Sequence, residues 1–162
     1  KRFTWWPQVF LGLAFNWGAL LAWAAHAGTV PVAAVFLYTG GIAWTLFYDT
    51  IYAMQDVEDD AMVGIRSTAR LFGQDSQKWL AGFLVTSVSS LMIAVLLVLV
   101  PGESGATRLV VALGGVWAFG WHLFWQLRHL NPADPASCLA AFRANRDAGL
   151  ILWLFLAAAS VL

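Results

Sequence analysis

Five carboxylates fall within twelve residues at the end of a long apolar run: Asp49, Asp56, Glu58, Asp59 and Asp60, in "YDTIYAMQDVEDD". On one continuous helix, offsets of seven and eleven residues from Asp49 return to within ~20° of the same azimuth. Asp49, Asp56 and Asp60 then share a face, with Tyr52 one sector away, while Glu58 and Asp59 point elsewhere, toward solvent. Three stacked acids repel one another, and near a membrane each costs several kcal/mol unless it is neutralised. Oxygen donors with no His or Cys nearby suit a hard cation, above all Mg²⁺, which takes one or two protein carboxylates and fills its other positions with water or phosphate oxygens. Asp56 and Asp60, one helical turn apart, suit a metal bridged to a diphosphate. Arg66 and Arg70 follow, four apart, and Lys1 and Arg2 fall on the same membrane side. Such cations would hold a diphosphate and stabilise it as it leaves. The bland alternative is a solvated acidic loop at a helix end. Asp49 weighs against it, because it lies about a turn or more inside the apolar span, where ionisable groups are functional by default. Tyr48, Tyr52 or Trp44 could face a cationic intermediate by cation–π attraction.

The elements that must carry these groups are membrane spans. Of the 162 residues, 60% are hydrophobic and only 11% charged, with ten Trp. A soluble domain carries about 25% charge, so the composition points to an integral membrane protein. Five spans can be drawn near the ~20 residues that cross hydrocarbon as a helix: Val9–Ala25, Val32–Met54, Trp79–Val100, Leu109–Leu127 and Ala148–Leu162. The longer charged connections, about 56–78 and 128–147, have room for a surface helix. If the spans alternate, Lys1, Arg2, Arg66, Arg70, Lys78, Arg128, Arg143 and Arg146 lie on one side and Arg108 on the other. That bias places the N-terminus and both charged connections in the cytoplasm. The zero formal net charge implies no polyanionic partner such as nucleic acid, and the single Cys138 excludes an intrachain disulfide.

Other polar residues read more simply. Asn16 in the first span suits a helix–helix contact, and His122 a satisfied core histidine. "RANRDAG" (143–149) reads as inside positive charge leading into a helix, with a basic contact to substrate possible. The start at "KRFTWWPQ", with no initiator Met and no signal peptide, suggests a chain that begins in mid-protein.

Taken together, these residues resemble the C-terminal part of a UbiA-type membrane prenyltransferase, closest to the branch acting on 4-hydroxybenzoate. "YDTIYAMQDVEDDAMVGIRSTARLFG" resembles the second aspartate-rich motif of that family. "KRFTWWPQVFLGLAF" resembles the segment after a Tyr-Pro-x-x-Lys-Arg stretch, and "CLAAFRANRDAGLILW" the family's C-terminal end. The resemblance spans nearly the whole chain. It implies an all-α fold, nine transmembrane helices around a cavity, and Mg²⁺ held by two aspartate-rich motifs. On that pattern Asp56 and Asp60 are the second motif's metal ligands, and Lys1 is the Lys of a Tyr-x-x-x-Lys motif that contacts diphosphate with Arg66 and Arg70. Arg2 is then a candidate for the aromatic carboxylate or the diphosphate, and Asp49 matches a Tyr-Asp-Thr element. The first motif, Asn-Asp-x-x-Asp, is absent, so about four helices belong to the N-terminal part of the same protein, and this chain is expected to be inactive by itself. Many relatives carry Lys at the position of Arg66.

The reaction implied is transfer of a polyprenyl group from polyprenyl diphosphate to the ring of 4-hydroxybenzoate, in ubiquinone biosynthesis at a bacterial inner membrane. Two rival readings remain. One is a cation transporter or channel using the intramembrane carboxylates. The other is a prenyltransferase with another aromatic acceptor, such as a naphthoate or haem precursor.

Overall fold

The computed structural model describes residues 3–101 and 105–162. Among them the chain is all-α. Five long helices, α1 (Pro7–Ala27), α2 (Val32–Ala53), α5 (Ser76–Leu99), α6 (Ala106–His129) and α7 (Pro135–Ser160), form a polytopic bundle. Two short ones, α3 (Val57–Val63) and α4 (Thr68–Phe72), lie between α2 and α5. Among the described residues, four helical runs are long and apolar enough to cross a membrane: Pro7–Ala27, Val32–Val63, Thr68–Leu99 and Ala106–His129. The chain is an integral membrane protein.

Helix α2 is the hub. It packs against α1, α5 and α7, while α6 joins α5 to α7 and closes a four-helix ring with α1 outside. The ring's core is Phe47, Ile51, Leu80, Val116, Phe119 and Leu123, all nearly or fully buried. Lipid tails are as apolar as these side chains, so association rests on close packing and interhelical hydrogen bonds. The α2–α5 seam shows both. A Cβ on Gly40 would come within 3.2 Å of the Ser87 carbonyl oxygen, and the Ser87 hydroxyl donates to the Gly40 carbonyl at 2.9 Å.

Helix α7 starts earlier than hydropathy suggests. Asp134 caps it by accepting from the Ala136 amide at 3.0 Å, and Pro135 sits at the first helical position, where its missing N–H costs nothing. Most of the stretch expected to be a charged connection, 128–147, is therefore helical. Arg143 and Arg146 ride on the exposed face of α7. Charge ends a hydropathy window, but it does not end a hydrogen-bond ladder.

Helix α2 also ends differently. The Met54 amide donates to the Ile51 carbonyl, and Met54–Asp56 is a 3-10 turn. Asp56 then has φ −114° and ψ 18°, outside the helical region, before α3 begins. The continuous helix that phased Asp49 with Asp56 and Asp60 is absent. A step of about 100° per residue holds only within an α-helix, so that phasing stops at Ala53.

Candidate functional site

The break at the end of α2 divides the acids. Asp49 is half-buried, one turn before the helix ends. Asp56 stands at the N-cap of α3, exposed, and Asp60 lies in its first turn, half-buried. Glu58 and Asp59 share that turn and are exposed. Acids gathered at a helix N-terminus are favoured by the helix dipole, which explains part of the crowding. Glu58 and Asp59 do not merely face open solvent. They line a crevice of about 530 Å³ whose other walls include Ser76 and Pro132.

The cations are positioned by the backbone. Gly64, at φ 75°, ends α3 in the left-handed conformation that glycine adopts without steric cost. Ser67 then caps α4 by accepting from the Arg70 amide at 3.4 Å. The Arg70 guanidinium turns back to the end of α3, donating to the Asp60 carbonyl at 3.2 Å and to the Ile65 carbonyl. It thus adds a second kind of donor to the Asp60 oxygen, which already accepts from the Ile65 amide at 2.8 Å, and ties the Ile65 oxygen beyond the helix end to the same guanidinium. Arg66 donates to the Phe3 carbonyl at 3.3 Å. Both guanidinium carbons lie over the Trp5 ring, 5.6 Å and 5.5 Å from its centroid. The structure therefore brings Arg66 and Arg70 together on one indole, beside the helix that carries Asp56 and Asp60. Lys1 and Arg2 lie outside the described residues.

No group of three or more His, Cys, Asp and Glu forms a metal cluster among the described residues. The chain offers instead the two carboxylates of Asp56 and Asp60, whose side-chain oxygens take part in none of the hydrogen bonds and ion pairs described; Asp60 is engaged through its main-chain carbonyl. Hard carboxylate oxygens are the donors that Mg²⁺ takes from a protein, one or two at a time, with its remaining ligands drawn from water and phosphate.

A second polar region lies deeper. Tyr48 and Tyr52 both pack on Phe142 of α7, with ring centroids 5.9 Å and 4.7 Å away. Tyr48 and Trp44 line a cavity of about 810 Å³ between α2 and α7, flanked by Phe142, Arg143 and Asn145. Behind it runs a chain of amides that hydropathy and charge gave no reason to single out. Trp44 Nε1 donates to Asn145 Oδ1 at 2.8 Å. Asn145 Nδ2 donates to Gln126 Oε1 and to the Ala141 carbonyl, both at 2.9 Å. Gln126 Nε2 meets His122 Nδ1 at 2.9 Å. With that amide donating, Nδ1 accepts and the imidazole proton sits on Nε2. His122 is a satisfied core histidine, as its solitary position predicts.

Two further residues are structural. Asn16 donates to Thr45 Oγ1 at 3.0 Å and joins α1 to α2. Cys138 is fully buried; burial pushes its thiol above the ordinary range and Asp134 adds to the shift. It fills space at the start of α7.

The sequence matches the UbiA prenyltransferase family over residues 1–161. Similar proteins include mitochondrial 4-hydroxybenzoate polyprenyltransferases. The Bos taurus protein is 47% identical over 95% of this chain and 40% of its own length. The Homo sapiens protein is 45% identical over the same shares, and that of Drosophila melanogaster 43% over 95% of the chain and 38% of its own length. The chain thus spans about 40% of the length of the curated relatives it matches. No solved structure matches.

Proposed function

The chain belongs to the UbiA prenyltransferase family, and from that premise we propose that it supplies one wall of a prenyl-transfer site. The whole protein would move a polyprenyl group from polyprenyl diphosphate to the ring of 4-hydroxybenzoate, for ubiquinone biosynthesis. N-terminal helices of the same protein would supply the facing wall. We place it in a bacterial inner membrane with the charged segments cytoplasmic; the relatives named above are mitochondrial. The observation that carries the reading is one juxtaposition. Two carboxylates without side-chain partners among the described residues stand beside two arginines held by main-chain oxygens, at the end of an apolar helix.

Each group has a distinct task. Asp56 and Asp60 would hold Mg²⁺ through hard oxygens. Bound there, Mg²⁺ would screen the diphosphate charge and ease departure of that group. Arg66 and Arg70 add fixed positive charge that needs no reorganisation, since Trp5 and the main chain already hold them. Lys1 is assigned to the diphosphate and Arg2 to the aromatic carboxylate. Asp49 is assigned a supporting role at the mouth. Tyr48 and Tyr52, with Trp44, present aromatic surface to the carbon that becomes positive as its bond to oxygen breaks. The acceptor's ring carbon attacks there, and its proton leaves.

The test is product formation from radiolabelled polyprenyl diphosphate and 4-hydroxybenzoate in membranes holding the protein expressed from its whole coding region. Prenylated hydroxybenzoate that requires added Mg²⁺ is expected. Ion flux in liposomes without any such product would overturn the reading.

A further inference from the structure

The amide chain behind the cavity does more than join helices. We propose that Asn145 is a positioning residue for prenyl transfer, acting through Trp44; this rests on the function proposed above. Trp44 has a single polar hydrogen, on Nε1, and Asn145 Oδ1 takes it at 2.8 Å. What Trp44 shows the cavity is therefore hydrocarbon and π surface, with no proton donor to recruit water.

The ring is seated on its other sides as well. A Cβ on Gly149 would come within 2.8 Å of Trp44 Cη2, so only a bare backbone leaves room for the indole. Phe119 and Tyr48 meet the ring edge-on, at centroid distances of 5.1 Å and 5.8 Å. Asn145 itself cannot turn over. Its Nδ2 is committed to Gln126 Oε1 and the Ala141 carbonyl, and Gln126 is oriented by His122. A flipped Asn145 amide would set N–H against N–H at Trp44. At only 6% exposure, it meets too little solvent to repair the mismatch fully.

The consequence is a choice between two captures of one cation. Heterolysis sends the electron pair of the allylic C–O bond away with diphosphate. The acceptor's ring carbon then forms a C–C bond and loses its proton, or water forms a C–O bond, loses a proton and gives polyprenol. A pinned indole adds no donor of its own to hold a water at the cation. Freed, Trp44 can turn its N–H into the cavity and hold a water beside the cation.

The partition between prenylated product and polyprenol tests this, in the protein expressed from its whole coding region. In Asn145→Ala the ratio of polyprenol to product should rise roughly five- to tenfold, the effect of one lost hydrogen bond, with diphosphate still released. Trp44→Phe, which keeps an aromatic ring and removes the N–H, has no donor to turn into the cavity and should keep the ratio near the wild-type value. The double variant should shift it no further than Trp44→Phe by itself. Ser87→Ala breaks another interhelical bond, to the Gly40 carbonyl and away from the cavity, and should lower both products in step. An unchanged ratio in Asn145→Ala overturns the proposal. If that variant does not accumulate as folded protein, a raised ratio in Trp44→Phe, which has no N–H to release, overturns it instead. A wild-type protein giving neither product nor polyprenol refutes the proposed function itself, and this inference with it.

Discussion

Two polar regions lie at the α2–α7 side of the bundle, and they differ in how far their hydrogen-bonding capacity is used. On α3, Asp56 and Asp60 carry carboxylates that nothing in the described fold engages. In the chain from Trp44 through Asn145 and Gln126 to His122, each link is matched donor to acceptor. Unsatisfied groups are where a charged ligand can bind without first breaking a protein contact. Satisfied buried groups set geometry, and their removal costs stability.

The sharpest way to break this contrast is to remove one member of the acidic pair. Asp56→Ala should lower Mg²⁺-dependent product formation by roughly 1,000-fold, the scale of several kcal/mol of transition-state stabilisation. The thermal unfolding midpoint in detergent should stay put, because no described residue is held by that carboxylate. Near-normal turnover would end the metal assignment. The opposite signature is expected from Gln126→Leu. It strips Asn145 of one acceptor and should cost about 1–3 kcal/mol, read as a lower unfolding midpoint.

Smaller effects sharpen the same line. Gly149→Ala forces a methyl toward the pinned Trp44 ring and should destabilise by about 1–2 kcal/mol. An unchanged midpoint would show that the ring is free to move. Ser67→Ala removes the cap of α4 and should cost about 1 kcal/mol, seen as faster amide exchange over 67–71 and little else. Cys138 marks the low end. Its thiol is buried and its ionisation is pushed upward, so the reactive thiolate is scarce below that raised value. Maleimide labelling at pH 8 should be slow in folded protein and fast after denaturation.

The helical class and membrane character followed from apolar length and scarce charge, and the family from the motif around Asp56. Asp56 and Asp60 were legible because acids are conspicuous against an apolar background. Their phase relative to Asp49 was not, because a three-residue 3-10 turn leaves no mark in residue type. Asn145 and Gln126 were hidden for a different reason. A lone amide in an apolar helix looks like any helix contact until its partner across the bundle, 19 residues away in sequence, is known. The crevice beside Glu58 and Asp59 was missed because its far wall comes from residues 132–135, remote in sequence.

Arg70 grips the Asp60 and Ile65 main-chain oxygens, and no acidic side chain among the described residues. The peptide carbonyl is the same whatever residue bears it, so the α3–α4 corner keeps its shape independently of which acids it displays. Scaffold and reactive lettering are thereby uncoupled. Substitutions along α3 can change which acids the corner displays without re-solving how the chain turns.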